Sequence, residues 1–389
     1  ALKPLSKEHW LTLALIGFII TSGISFLAVS PVLLGGMVEQ LGFSKQLIGW
    51  VTAVTSIGVA IAGVVVSVII SRFGILNLVR LGLFVLMLSE IGAAYSTTPA
   101  SMLLFRFLAG LFGGLTYVSA LSAYASLSQP IRGFSTYTIV FCSLSSITLF
   151  FLPTLVQSFS LKGGFFLLAS FAALGLLVSG VLSDFSNGRP RQKINAQVLR
   201  LLGRRTIFFT VLAYFALQAG AVAIWAFLER IGDEKGLTPI YIGFGLSLTG
   251  ICGIIGAIST NTLRKRLSLQ QLVAIGFPGM GFSLLLFYLG SSAISYILAI
   301  VLFATSWAFI LPIYQAIQAA YDTEGKIVSI GAFMNMLGQS TGPALASLLL
   351  GSSPYVNAVW IALGMLILSW LSIIPSIWGL SSRTGNPAS

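Results

Sequence analysis

Charged side chains are scarce in this sequence. Its 389 residues include 21 Lys and Arg but only 9 Asp and Glu, which together make up 8 % of the chain, whereas hydrophobic residues make up 57 %. Soluble domains carry roughly 25 % charged residues, so the few present here could not cover a water-exposed surface. The composition therefore excludes a soluble globular protein and predicts an all-α integral membrane protein.

Histidine and cysteine are almost absent as well. The single histidine is His9, and the two cysteines, Cys142 and Cys252, lie within apolar runs. A disulfide framework and a His/Cys metal site are therefore not expected, and we predict no cofactor. An intramembrane enzyme would need a nucleophile with its base, a pair of carboxylates or a set of metal ligands. With one deep carboxylate, Glu90, the sequence predicts no enzyme.

The apolar runs are long enough to cross a bilayer and are separated by Gly, Pro, Ser or charged residues. They are continuously apolar rather than alternating, which excludes a β-barrel. We predict twelve transmembrane helices, at 10–35, 47–70, 77–96, 101–126, 135–157, 163–183, 206–229, 240–260, 269–290, 293–319, 327–350 and 355–379.

The positions of Lys and Arg predict the orientation, because basic loops stay on the cytoplasmic side. With the N-terminus inside, the outer loops carry only four basic residues, Lys45, Lys162, Arg230 and Lys235. Arg106 lies within a span, and all remaining Lys and Arg residues fall on the inner side. Both termini are then cytoplasmic. The basic residues form no continuous face, so we expect no nucleic-acid partner.

The longest loop, the basic segment 184–205, predicts a cytoplasmic linker between two six-helix halves, 1–183 and 206–389. The halves have matching features, since Tyr117 and Tyr124 of the fourth span have counterparts at one constant offset in Tyr314 and Tyr321 of the tenth. Such pseudo-symmetric repeats are typical of transporter folds.

Three local motifs accompany this organisation. The loop after the second span reads Ser71-Arg72-Phe73-Gly74, the fourth span contains Arg106-Phe107-Leu108-Ala109-Gly110, and Arg132 follows that span. Over essentially its whole length the chain resembles the major facilitator superfamily of secondary transporters, although Ser71 occupies the acidic position of the family's loop motif. The resemblance implies alternating access, a monomer, a central cavity lined by spans 1, 4, 7 and 10, and a gating loop that contains Ser71, Arg72 and Gly74 together with Arg132.

Two charged residues lie deep within the predicted spans, Glu90 in the third and Arg106 in the fourth. Each is eight positions from Thr98 in the turn between these spans, so both should lie at one depth, about 12 Å from the turn. The spacing predicts a buried ion pair. Three interpretations of the two residues are open. They could form a pair that couples transport to protons or substrate, they could form a permanent link between the helices, or they could make no contact.

Polar and aromatic side chains recur at helical spacing within several spans. Buried Tyr, Trp and Gln need hydrogen-bond partners, so such stripes favour a cavity over lipid, although interfacial aromatic belts and ordinary helix packing would give the same pattern. The candidates for the substrate cavity are Ser25, Tyr117, Gln218, Trp225, Glu229, Trp307, Tyr314, Gln315, Gln318, Asn335 and Gln339.

These features predict a secondary transporter of a small organic solute in the inner or plasma membrane, with the lipid bilayer as its surroundings. An arginine in a low-dielectric cavity favours an anionic or amphipathic solute, because it cannot deprotonate. Proton coupling through Glu90 or Glu229 is one alternative, and an uncoupled facilitator is another. A multidrug-type exporter of neutral or cationic amphiphiles is the nearest rival.

Overall fold

A computed structural model describes residues 9–127, 130–185, 205–321 and 326–384. Contacts divide the chain into two compact units, Ala1–Gln192 and Lys193–Ser389. The described residues are helical and contain no β-strand. The basic linker predicted over 184–205 lies outside the described residues except at its two ends.

The described part of the first unit contains six helices, and a short 3₁₀ turn, Ser179–Leu182, follows the last of them. The helices are α1 (Trp10–Gly23), α2 (Ser25–Leu41), α3 (Lys45–Phe73), α4 (Ile75–Ala94), α5 (Pro99–Ala125) and α6 (Pro130–Val178).

In the second unit, the residues that the structure describes form seven helices, with a short 3₁₀ turn, Tyr355–Asn357, before the last. The helices are α7 (Arg205–Trp225), α8 (Leu228–Glu234), α9 (Pro239–Leu263), α10 (Leu269–Leu289), α11 (Ala293–Tyr321), α12 (Lys326–Leu350) and α13 (Ala358–Thr384).

Many of these helices can cross a membrane. Nine segments among the described residues are long and apolar enough, and there are ten if α1 and α2, bent by 43° at their junction, form one span. The chain is therefore a multi-pass membrane protein. The count of twelve spans and the orientation of the termini stay predictions.

Three helices differ from the continuous spans that the sequence predicts. Ile24 leaves helical geometry (φ −122°, ψ 17°) and separates α1 from α2. Phe159 and Ser160 are non-helical within α6, and Ser160 has a φ of 63°, so α6 consists of two helices joined at a kink. The predicted seventh span is interrupted after Trp225, and a short helix, α8, begins at Leu228. The Leu228 carbonyl accepts a hydrogen bond of 2.8 Å from the buried Tyr296 hydroxyl.

Glycines allow helices to approach closely in both units. A Cβ at Gly110 of α5 would collide with the backbone of Thr55 in α3. In the second unit, a Cβ at Gly342 of α12 would collide with the backbone of Ala219 in α7, and one at Gly338 would meet the Phe215 carbonyl. These approaches fix α3 against α5 and α7 against α12, and both helix pairs carry residues of the candidate sites.

Candidate functional site

The two deep charges meet inside the first unit. Arg106 Nη2 donates a hydrogen bond of 2.6 Å to Glu90 Oε2, and the side chains are 0 % and 1 % exposed. The residues lie on α4 and α5, which are antiparallel neighbours joined by the turn 95–98. Because the two positions are equally far from that turn, the carboxylate and the guanidinium lie at one level.

The surroundings of this pair are largely apolar. The guanidinium carbon of Arg106 lies 4.4 Å from the ring centre of Phe26, in the first turn of α2, and 5.1 Å from that of Phe165 in α6. Among the described residues, Glu90 Oε1 and Arg106 Nε and Nη1 have no hydrogen-bond partner. A buried charged group with unused donors and acceptors is costly, so the pair is a candidate functional element.

A small cavity adjoins the pair at the bend between α1 and α2. Its volume of about 10 Å³ is roughly the space of one water molecule. Glu90 lines it together with Ile24, Ser25, Thr55 and Gly110. The predicted cavity residue Ser25 is itself buried, and its hydroxyl donates to the Ser22 carbonyl at 3.0 Å. The carboxylate therefore lies where the first span departs from helical geometry.

The second unit contains a polar cluster that joins three helices. We call it the amide cluster, and it consists of Gln218 of α7, Trp307 of α11, and Asn335 and Gln339 of α12. The Trp307 indole N–H donates to Gln218 Oε1 at 2.8 Å, and Gln218 Nε2 donates to Asn335 Oδ1. Gln339 Nε2 also donates to Asn335 Oδ1, at 2.9 Å. Four of the predicted cavity residues are thus linked by hydrogen bonds.

Tyr314, also predicted for the cavity, lies in a helix contact of the second unit. It is fully buried, its hydroxyl is 2.7 Å from Ser369 Oγ on α13, and Ser369 in turn donates to the Ala213 carbonyl of α7 at 2.7 Å. The side chain therefore links α11, α13 and α7.

Tyr314→Phe should lower the free energy of unfolding by about 1 kcal/mol, because Ser369 keeps its bond to Ala213 and only one neutral hydrogen bond is lost. Thermal unfolding in detergent measures the change. Tyr241→Phe is the matched control, because Tyr241 is 52 % exposed. Equal stability of the two variants would show that the Tyr314 hydroxyl contributes nothing.

The remaining cavity candidates lie in varied environments. Tyr117 is half-buried, with its ring centre 6.5 Å from that of Tyr137, and Trp225, also half-buried, ends α7. Gln315 is exposed. Gln318 is buried beside Gly331 of α12, and its Nε2 has no partner among the described residues.

Glu229 forms an ion pair with the next residue in the chain, Arg230. Arg230 Nε donates to Glu229 Oε2 at 2.7 Å, and Arg230 Nη1 lies 3.4 Å from Asp233 Oδ2. Nearby, the Glu234 carboxylate accepts a hydrogen bond of 2.9 Å from the Tyr355 backbone N–H. Burial lowers the pKa of the neighbouring Lys235. The sequence signal for this ion pair is the direct succession of an acidic and a basic residue at positions 229 and 230. Such contacts stabilise the ends of a helix.

The predicted gating loop lies at the end of α3. Ser71 and Arg72 are exposed, and so is Arg132 in the first turn of α6. Gly74 has a φ of 76°, a conformation that side chains with a Cβ rarely adopt, which accounts for glycine at this position of the motif.

Comparisons with known proteins agree on one family. The model of the Major Facilitator Superfamily matches residues 13–321. A protein of Bacillus subtilis (strain 168), described as the uncharacterized MFS-type transporter YceJ, is 23 % identical over 331 residues, which cover 82 % of this chain and 84 % of that protein.

Solved transporter structures share the fold. A mutant of the nucleoside transporter NupG matches with a TM-score of 0.78 and 13 % identity, over 94 % of this chain and 99 % of that one. A bacterial homologue of the human lysosomal transporter Spinster, in an inward-facing and unoccupied conformation, matches with a TM-score of 0.72 and 13 % identity, over 98 % of both chains.

Proposed function

Since this chain belongs to the Major Facilitator Superfamily, a family of membrane solute transporters, we propose that it moves a small organic solute by alternating access and couples this movement to protons through Glu90. The observation that carries the coupling is the buried Glu90–Arg106 pair at the bend of the first span. The family and its transporter relatives support a transporter rather than an enzyme.

We propose the twelve-span topology with cytoplasmic termini for the same chain, working as a monomer in the bilayer. The halves would be 1–183 and 206–389, joined by the linker 184–205. The kink at Phe159 and Ser160 supports two spans within α6, and the bent pair α1 and α2 would form one span. The bias of Lys and Arg towards one side supports the orientation.

The coupling proposal follows from what protonation would do to the pair. A neutral Glu90 would lose its ionic attraction to the guanidinium of Arg106 and would keep only the weaker acceptor of a neutral carboxyl, beside the contacts of Arg106 with Phe26 and Phe165. Because Phe26 begins α2, the packing at the bend would then differ between the protonated and the ionised carboxyl. Two packings that depend on one proton are what a coupled conformational change requires.

The geometry also bears on the solute class. The sequence favours an anionic solute only if Arg106 offers its positive charge to a ligand. In the structure this charge is fully buried and paired with Glu90. Uncharged or amphipathic solutes are therefore better supported than anions. The structural similarity to NupG adds nucleosides to the solutes to be tested.

The experiment is uptake into proteoliposomes with an imposed pH gradient, using a panel of nucleosides, organic acids and lipophilic cations. We expect the gradient to drive accumulation of an uncharged or amphipathic solute. Glu90→Gln should abolish gradient-driven accumulation and retain exchange of the same solute, because a glutamine side chain does not take up or release a proton in the physiological pH range. Glu90→Asp should retain some coupling.

The matched control is Glu39→Gln, since Glu39 is an exposed carboxyl of α2 in the same unit. Unchanged accumulation in Glu90→Gln would make the pair a permanent clamp. Transport that never responds to the gradient would indicate an uncoupled facilitator, and movement of lipophilic cations alone would indicate a multidrug-type exporter.

A further inference from the structure

Within the described part of the chain, one amide nitrogen and one amide oxygen of the amide cluster make no hydrogen bond. Among the described residues, Asn335 Nδ2 and Gln339 Oε1 have no hydrogen-bond partner, although the other amide atoms of both side chains are used. Gln218 is 2 % exposed, whereas Trp307, Asn335 and Gln339 are only half-buried. The cluster is thus anchored at a buried end and offers unused polar atoms at its more exposed end.

The internal hydrogen bonds fix the direction in which these atoms point. Gln218 Oε1 accepts from Trp307, so its amide N–H is directed to Asn335. Asn335 Oδ1 accepts two donors, which turns Asn335 Nδ2 away from both. Gln339 uses its N–H group in the same contact and keeps its oxygen free. A donor and an acceptor held in this way lose little side-chain entropy when a ligand binds.

The helices around the cluster carry no charge that could balance a charged ligand. In the sequence, α7 has no Asp, Glu, Lys or Arg after Arg205, α11 has none, and α12 has none after Lys326. A charged group bound away from water without a counter-charge is costly. The cluster therefore favours a ligand that is neutral at the point of contact.

We propose that the amide cluster is a recognition subsite for an uncharged, planar solute with a carbonyl oxygen beside an N–H group, as in a primary carboxamide or a cyclic amide. The solute carbonyl accepts from Asn335 Nδ2, its N–H donates to Gln339 Oε1, and its ring packs against the half-buried indole of Trp307. This inference rests on the proposed transport function and narrows its solute class.

Matched triads of small aromatic compounds test the subsite by thermal shift of the purified protein in nanodiscs. Each triad consists of three compounds that share one ring and differ in its substituent, which is a primary carboxamide, an N,N-dimethylcarboxamide or a carboxylate. One example is nicotinamide, N,N-dimethylnicotinamide and nicotinate. The ring differs from one triad to the next. We expect stabilisation by primary carboxamides only, because the dimethyl compound lacks the N–H and the carboxylate lacks it and adds a charge.

Two variants separate the two solute contacts. Gln339→Met loses the free acceptor at similar length and should weaken carboxamide binding roughly three- to tenfold, the value of one hydrogen bond. Asn335→Asp keeps the oxygen that accepts from Gln218 and Gln339 but replaces the free donor by a second oxygen. It should weaken binding by more than about tenfold, because repulsion between that oxygen and the solute carbonyl adds to the lost hydrogen bond. Asn77→Asp is the matched control, since Asn77 is exposed on α4 of the other unit and its side chain donates to the Phe73 carbonyl at the end of α3. It should leave binding unchanged.

Three outcomes would overturn the subsite. They are stabilisation by carboxylates, equal stabilisation by the dimethyl compounds, and no stabilisation by any primary carboxamide on any ring. Unchanged binding in both cluster variants would also overturn it. These results leave the transport proposal intact if the proteoliposomes still accumulate a solute, so the two failures are distinguishable.

Discussion

Arg106→Ala should lower the free energy of unfolding by about 3–5 kcal/mol, because it leaves the Glu90 carboxylate buried without a partner. The pair is fully enclosed, and the arginine also contacts Phe26 and Phe165, whose packing would be lost with it. Unfolding in detergent, followed by circular dichroism, measures the change. Arg80→Ala is the matched control, since Arg80 is exposed on α4 and bonds to the neutral Ser179 hydroxyl.

A second substitution shows whether the loss comes from the pair itself. In the Arg106→Ala background, Glu90→Gln should recover part of the stability, because a neutral amide is less costly to bury than an unpaired carboxylate. The sum of the two single changes would then exceed the effect of the double variant. Strict additivity would mean that the two side chains do not interact energetically, whatever their distance.

Gly110→Val should be the most damaging glycine substitution in the first unit. A Cβ at Gly110 would collide with the backbone of Thr55, which cannot move aside as a flexible side chain can. We expect a loss of about 3 kcal/mol, at the upper end of the usual cost of overpacking. The same unfolding measurement applies.

Gly63→Val in α3 is the control, because no atom lies within 4 Å of a Cβ at that position. It should change stability by no more than about 0.5 kcal/mol. A similar loss in both variants would indicate that valine itself, rather than the contact between α3 and α5, is responsible.

Much of the fold is predictable from the sequence because lipid imposes long apolar helices. The position of Glu90 opposite Arg106 is predictable too, since a short turn between antiparallel helices sets their relative depth. The bend at Ile24 is not, because the segment Thr21-Ser22-Gly23-Ile24-Ser25 interrupts the apolar run but is equally compatible with an unbroken helix. The structure adds a contact between helices that the sequence does not show, since the Gly113 carbonyl of α5 packs directly against Gly23.

The candidate site of the second unit was predicted only in its parts. Stripes on single helices identified Gln218, Trp307, Asn335 and Gln339, but helical periodicity relates residues of one helix only. The hydrogen bonds that join them run between α7, α11 and α12. Tyr314 is a similar case. The spacing of polar residues along its own helix cannot show that its hydroxyl contacts Ser369 of α13.

The lack of charge around the amide cluster has an electrical consequence. If the solute is uncharged and one proton accompanies it, each transport cycle moves one net positive charge across the membrane. The membrane voltage would then drive accumulation as well as the pH gradient, by about 2.3 kcal/mol for 100 mV. That energy corresponds to a roughly fiftyfold concentration ratio of the solute. A transporter built in this way would be electrogenic, and its activity would appear as a current.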